Sequence, residues 1–337
     1  MMGGAITRVG LLSRARAPGS PRRHIDEGIP SGVPYPVGLP EVARRRTLGI
    51  EDGRLAALEA APAGPAPVRG VAVLLPGFTG SKEDFIPLLS PIAAAGYRVI
   101  SYDQRGQYES VGPDRERAYS LALFARDLRE VIGVVGNGEP VHLVGHSFGG
   151  LVARNLVIAE PALVRSLTLL DSGPAGASLL GARWLSLLTG LIRLCGPTVL
   201  ATLVVQASRW TGVPAGRLPW LRYRLERTQQ AGLVGMCRAL SREPDRVDEL
   251  ASTPVPVLII FGEKDDVWSP QVQEEMARRL NAPIAIIKNA GHTPNEDQPA
   301  ASRCDAQILG YRRTRALRRS RPGRQKHSRA TPAQVAC

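Results

Sequence analysis

Residues 141–154 read VHLVGHSFGGLVAR, and this stretch limits the accessible folds more than any other in the chain. Val141, Leu143 and Val144 make an apolar run of strand length, after which Leu151, Val152, Leu156 and Val157 recur at helical spacing. Between them stands Gly145-His146-Ser147-Phe148-Gly149, with Gly150 following. A buried strand that turns at once into a helix is the basic unit of α/β architecture. The hydroxyl on its corner, flanked by residues with almost no side chain, asks for a reason.

The rest of the chain repeats that unit. TLGIEDGRLAALEA reads as two short strands around the Asp52-Gly53 turn signal, and VAVLLPG as a buried strand ending in a glycine loop. DFIPLLSPIAAAG is helical in part, with Pro91 an irregularity, and RVISYDQRG is the next strand. SLALFARDLREVIGVV has the spacing of an amphipathic helix. After VRSLTLLDSG the alternation stops, and residues 174–250 show helical spacing at Leu180, Trp184, Leu187, Leu191 and Leu194. It resumes past Pro254 with VPVLIIFGEKD, SPQVQEEMARRL, PIAIIKNAGHT and a closing helix in DQPAASRCDAQILGY. Strands separated by helices predict a mostly parallel sheet with helices on both faces, connected by right-handed crossovers. The expected layout is an α/β core from residues 41–173 and 251–310, with a helical cap, 174–250, inserted over the carboxyl edge of the sheet.

Net charge is +13, which taken alone suggests a nucleic-acid partner. Its distribution argues against one. Residues 1–46 carry +5 and residues 311–337 carry +9, so residues 47–310 sit near −1. With 44% hydrophobic residues overall, that near-neutral middle can bury an ordinary core. Residues 1–40 and 311–337, rich in Arg, Pro and Gly, read as a solvated arm and a basic tail. The opening lacks the uninterrupted apolar centre of a secretory signal. LLGARWLSLLTGLIRLCGPTVLATLVVQA is broken by Arg183, Arg193 and Pro197, so no spanning helix is expected; its helices are expected to cover the pocket, with weak membrane contact through the cap or the tail as the alternative. Cys195, Cys237, Cys304 and Cys337 show neither metal spacing nor CxxC, pointing to a reduced, cytoplasmic protein.

A serine hydroxyl is a weak nucleophile near neutral pH until a base lies within hydrogen-bond reach. Five histidines are available. His24 and His327 fall in the arms, and His142 lies in a buried strand. His146 adjoins Ser147 on a turn where neighbours diverge, so it is expected to line the site. His292, in NAGHTPNEDQP past the last strand, is left as the base. In IIFGEKDDVWSP, the GxxD spacing favours Asp265 as the acid that orients it. Asp266 would serve if the loop differs, and Asp171 if the acid comes from the preceding strand; otherwise Asp171 caps the loop into the insertion. A developing oxyanion needs two fixed donors. The backbone N–H of Phe148 is one; that of Phe78 is the other, with Thr79 as an alternative. Gly77 lets this loop approach the ligand closely. Trp184, Trp210, Trp220 and Trp268 suggest an aromatic-lined cavity, in which Trp184 and Trp268 join Gly77 and His146 as substrate contacts.

From about Arg45 to Gly310 the chain resembles the capped α/β-hydrolase superfamily. The resemblance is carried by LLPGFTGSKEDF, SYDQRGQYES, GHSFGG, FGEKDD and GHTPNEDQP, in the family's order, and by the chain order Ser, Asp, His. Two motifs depart from it: Pro76-Gly77 stands where many relatives have His-Gly, and Gln107 where they often carry histidine. There is no HGGG, which disfavours the hormone-sensitive-lipase-like subgroup. Ser147 occupies the place where haloalkane dehalogenases and epoxide hydrolases of the superfamily carry aspartate. The resemblance therefore implies a hydrolase of a small-molecule ester or other acyl substrate, working through a Ser147–His292–Asp265 triad without metal or organic cofactor. C–C bond hydrolysis or perhydrolysis on the same triad, and a non-catalytic ligand-binding protein, are the alternatives.

Overall fold

The computed structural model describes residues 38–298, apart from 66, 211, 212 and 214 and the side chains of 179, 180 and 210. The arm up to residue 37, the basic tail, the side chain of Trp210 and the closing helix beyond residue 298 lie outside the described residues. Among the described residues, eight strands form one sheet: β1 (Ala43–Ile50), β2 (Gly53–Ala60), β3 (Val71–Leu75), β4 (Arg98–Tyr102), β5 (Val141–His146), β6 (Val164–Leu170), β7 (Val257–Gly262) and β8 (Ile284–Ile287). Their order is β1-β2-β4-β3-β5-β6-β7-β8. β1 and β2 are the hairpin read from Asp52-Gly53, and β2 runs antiparallel to β4. Every later pairing is parallel.

Helices α1 (Ile86–Ala94), α2 (Leu121–Val135) and α3 (Phe148–Ala159) follow β3, β4 and β5. The insertion between β6 and β7 holds α4 (Leu179–Cys195), α5 (Pro197–Trp210), α6 (Leu218–Arg227), α7 (Gln230–Arg242) and α8 (Val247–Ala251). α9 (Pro270–Leu280) and α10 (Pro294–Asp297) come after β7 and β8. All of β5 is buried, as its unbroken apolar run requires of a central parallel strand. Alternation splits the core: Val73 and Leu75 face a cluster shared with α2, α3 and α9, whereas Ala72 and Leu74 face one built on α1. α2 begins at Ser120, whose hydroxyl accepts from the Leu123 amide, and buries Leu121, Phe124, Leu128, Val131 and Val135 along one face. Each such leucine stabilises by about 1.5–3 kcal/mol.

The insertion leaves and rejoins the core through a clasped neck. The Gly176 amide donates to Glu243 O at 2.9 Å, Ala177 to Leu240 O at 2.7 Å and Arg246 to Pro174 O at 3.4 Å. Arg154 of α3, wholly buried, donates to Pro174 O and pairs with Glu243 at 2.7 Å. Within the insertion, the apolar stripe read from the sequence of α4 is largely the exposed one. Leu185, Leu188, Thr189 and Ile192 form its buried face, while Trp184, Leu187, Leu191 and Leu194 are exposed. Both faces of α4 are apolar, so composition alone could not fix which one turns inward.

Candidate active site

The corner after β5 is built by exclusion. A Cβ at Gly149 would collide with Leu75 O, and one at Gly145 would meet Gly150 Cα at 2.5 Å, so β3, β5 and α3 close up only around glycine. Ser147 is held at φ 52° and ψ −119°, a conformation that costs on the order of 1–3 kcal/mol. Neighbouring bonds hold it there: its amide donates to Leu170 O at 2.9 Å, and its carbonyl accepts from Ser172 Oγ at 2.9 Å. The strained turn presents the hydroxyl beyond the carboxyl ends of the strands, where parallel sheets meet ligands.

There Ser147 Oγ lies 3.0 Å from His292 Nε2, and His292 Nδ1 lies 3.0 Å from Asp265 Oδ1. Nδ1–H donates to the carboxylate, leaving Nε2 as the acceptor of the serine proton. Asp265 Oδ1 also accepts from the Val267 amide at 2.9 Å, and Oδ2 from Gln273 Nε2 at 2.8 Å. Burial pushes the Asp265 carboxyl up, but the bond and charge of His292, with these donors, bring it below the usual carboxylate range. Asp266 is exposed. Asp171 does not cap the insertion: it is fully buried, with φ 43°, and its Oδ1 accepts from the Gly262 amide at 2.9 Å. Burial first, and then the charge of Asp265, raise its carboxyl well above the ordinary value. The two neighbouring carboxyls are thus shifted in opposite directions, Asp171 up and Asp265 down. Asp171, Asp265 and His292 bring donor atoms within 4.8 Å of one another, a spacing a divalent cation could bridge. The donors already on both carboxylates favour the hydrogen-bonded arrangement.

The loop after β3 lies directly against the nucleophile, since a Cβ on Gly77 would approach Ser147 Cβ to 3.2 Å. Two side chains that the sequence reading did not assign to the site hold this loop. Gln104 Nε2 donates to Pro76 O at 3.0 Å, and Gln107 Nε2 to Gly77 O at 2.7 Å and Phe78 O at 3.3 Å. With three successive carbonyls tied back, the Phe78 N–H is free of turn bonds, as is Phe148 N–H at the first position of α3. The Phe148 ring itself is core, edge-on to Phe124 at 5.1 Å.

A family profile described as the alpha/beta hydrolase family matches residues 72–303. The chain belongs to that family. Among its relatives, a Variovorax paradoxus protein named as a carbamate hydrolase, RutD, is 40% identical over 134 residues, 39% of this chain and 48% of that one. A Bacillus subtilis protein named as a 2-succinyl-6-hydroxy-2,4-cyclohexadiene-1-carboxylate synthase is 28% identical over 67% of this chain and 85% of its own. A thermophilic esterase from Thermogutta terrifontis shares the fold, with TM-score 0.67 and 20% identity over 79% of this chain and 97% of that one.

The other expected contacts of this alpha/beta hydrolase divide. Trp268 is buried, its ring centroid 5.8 Å from that of His292. His146 is also buried, and its Nε2 lies 2.7 Å from the His292 carbonyl, to which it donates. Burial and then the neighbouring His292 lower its ring to about 4, so it stays neutral and braces the backbone of the base. Trp184 is instead 55% exposed, on the face of α4 opposite Leu185, Leu188 and Ile192. Charged residues that the sequence did not single out support the loops. Arg224 of α6 pairs with Asp84 and reaches Ser81 Oγ at 3.3 Å, Arg217 pairs with Glu296 at 3.1 Å, and Asn295 Nδ2 donates to Asp84 O at 2.7 Å. Burial, and then the charge of Asp84, raise Glu296 to about 8. Lys82, buried among Asp103, Glu83 and Glu109, fastens the end of the same loop to β4.

Proposed function

We propose that this hydrolase cleaves a carboxylic ester or another acyl bond through an acyl-enzyme on Ser147. One observation supports this above the others: an unbroken line of hydrogen bonds from Asp265 through His292 to the Ser147 hydroxyl, each link to the imidazole 3.0 Å long. As Ser147 Oγ attacks the carbonyl, its proton passes to His292 Nε2, and Asp265 stabilises the imidazolium. The oxyanion meets the N–H groups of Phe148 and Phe78, two main-chain donors whose direction is set before substrate arrives. His292 then protonates the leaving group, and water reverses the sequence to release the acid.

The relatives' names cover carbamate hydrolysis and a carbocyclic synthase, so the leaving group is not inherited from them. C–C bond hydrolysis or perhydrolysis on the same three residues is the runner-up, and a substrate panel separates it from ester cleavage. The test of the triad itself uses p-nitrophenyl acyl esters and a fluorophosphonate probe. Ser147→Ala is expected to lower turnover by at least about a thousandfold and to abolish labelling. An alanine variant as active as the wild type would refute the proposal, and a wild-type protein that neither labels nor turns over any panel member would assign the fold a binding role instead.

A further inference from the structure

We propose that the outward face of α4 and α5 docks on an anionic lipid surface. Trp184, Leu187, Leu191 and Leu194 stand at i, i+3, i+7 and i+10, one side of a helix, and are 55, 71, 43 and 85% exposed. Leu203 of α5 is exposed as well. These residues are not surplus core. α4 already buries Leu185, Leu188 and Ile192 in the core cluster that also holds Leu233, Met236 and Cys237 of α7. The second stripe has no such packing among the described residues, and a contiguous apolar patch of this kind marks an interaction surface.

Charge selects the partner. From Ser172 to Leu225 the sequence contains six arginines and no acidic residue. Arg193, Arg217 and Arg224 pair with Glu116, Glu296 and Asp84 of the core. Arg183, beside the stripe on α4, and Arg209 on α5 are both exposed. Large apolar residues on one face of a helix with arginines at its border match the headgroup boundary of a bilayer carrying negative charge. A second copy of this chain fits less well, because it would bring two acid-free, arginine-bearing segments together. No described helix is long and apolar enough to cross a membrane, so the contact is one of lying on the surface. A single face of this size binds weakly and reversibly. Residues 311–337, with eight arginines, one lysine and no acid, provide a second electrostatic attraction of the same sign.

The test is co-sedimentation of the full chain with vesicles of phosphatidylcholine alone and of phosphatidylcholine mixed with phosphatidylglycerol. Wild type is expected to pellet with the mixed vesicles and much less with the neutral ones. A Leu187→Gln, Leu194→Gln double variant should lose at least about tenfold in partitioning, because it removes two of the most exposed apolar side chains of the face. Circular dichroism and turnover of a water-soluble ester should not change, which separates this docking face from the triad. Failure of the wild type to pellet with either vesicle overturns the proposal. So does pelleting that the double variant retains in full. A concentration-dependent dimer that the double variant dissolves, without vesicle binding, would assign the face to a second copy and overturn the lipid reading.

Discussion

Asp171 and Asp265 stand side by side at the ends of β6 and β7, where two bare carboxylates would repel strongly in a buried setting. Burial and the charge of Asp265 push the Asp171 carboxyl up, which favours its protonated form as a support for Asp265. Asp171→Asn, which preserves a donor toward Asp265 and an acceptor for Gly262, is expected to keep kcat within a few-fold of wild type. Asp171→Leu removes both, and kcat should fall about ten- to a hundredfold. Equal kcat in the two variants would show that Asp171 only fills space. Gln107→Leu, which frees the carbonyls of Gly77 and Phe78, should lower kcat about ten- to a hundredfold with KM little changed, measurable by steady-state kinetics on a soluble ester. Ser147, His292 and Asp265 were legible in the sequence because few residues of those types fall at strand ends. Asp171, Gln104, Gln107 and Ser172 were not, since their parts depend on which backbone groups they face, and spacing along one strand does not encode that.

At the level of elements, the strands were the most readable parts, because a run such as VHLVGH or VLIIFG is too apolar to stand anywhere but inside a sheet. α4 was readable as a helix but not in its rotation, for the reason that it carries two apolar stripes. The contact between α6, α10 and the loop after β3 was invisible in sequence, since its arginines and acids lie far apart along the chain. That contact carries a pH dependence. Glu296, raised from an ordinary 4.5 to about 8, keeps a proton in the folded protein that the unfolded chain releases. Stability contributed there is complete at acidic pH and is lost as pH climbs through that window. Thermal melts are therefore expected to show a lower Tm at about pH 9 than at about pH 6, with Glu296→Gln flattening the difference. An unchanged slope in that variant would place the titration elsewhere.

For the molecule as a whole, the neck between residues 174 and 246 decides how the insertion and the sheet stay together. Arg154 fastens it from beneath, and removing its buried guanidinium leaves the Glu243 carboxylate with Asn155 as its remaining side-chain donor. Arg154→Met should cost about 3 kcal/mol of stability and expose residues 178–239 to limited proteolysis before the sheet is cut. Equal cleavage rates in variant and wild type would mean that the neck does not govern the insertion. The same clasp has a longer consequence. The chain enters and leaves the segment between residues 178 and 239 at this one clasp, and the segment's further bonds to the core, through Arg193, Arg217, Arg224 and Gln229, reach loops and short helices and not the strand ladder. A lineage can lengthen, trim or exchange that segment while the strand register stays untouched. Diet can change quickly in such a protein while its chemistry stands still.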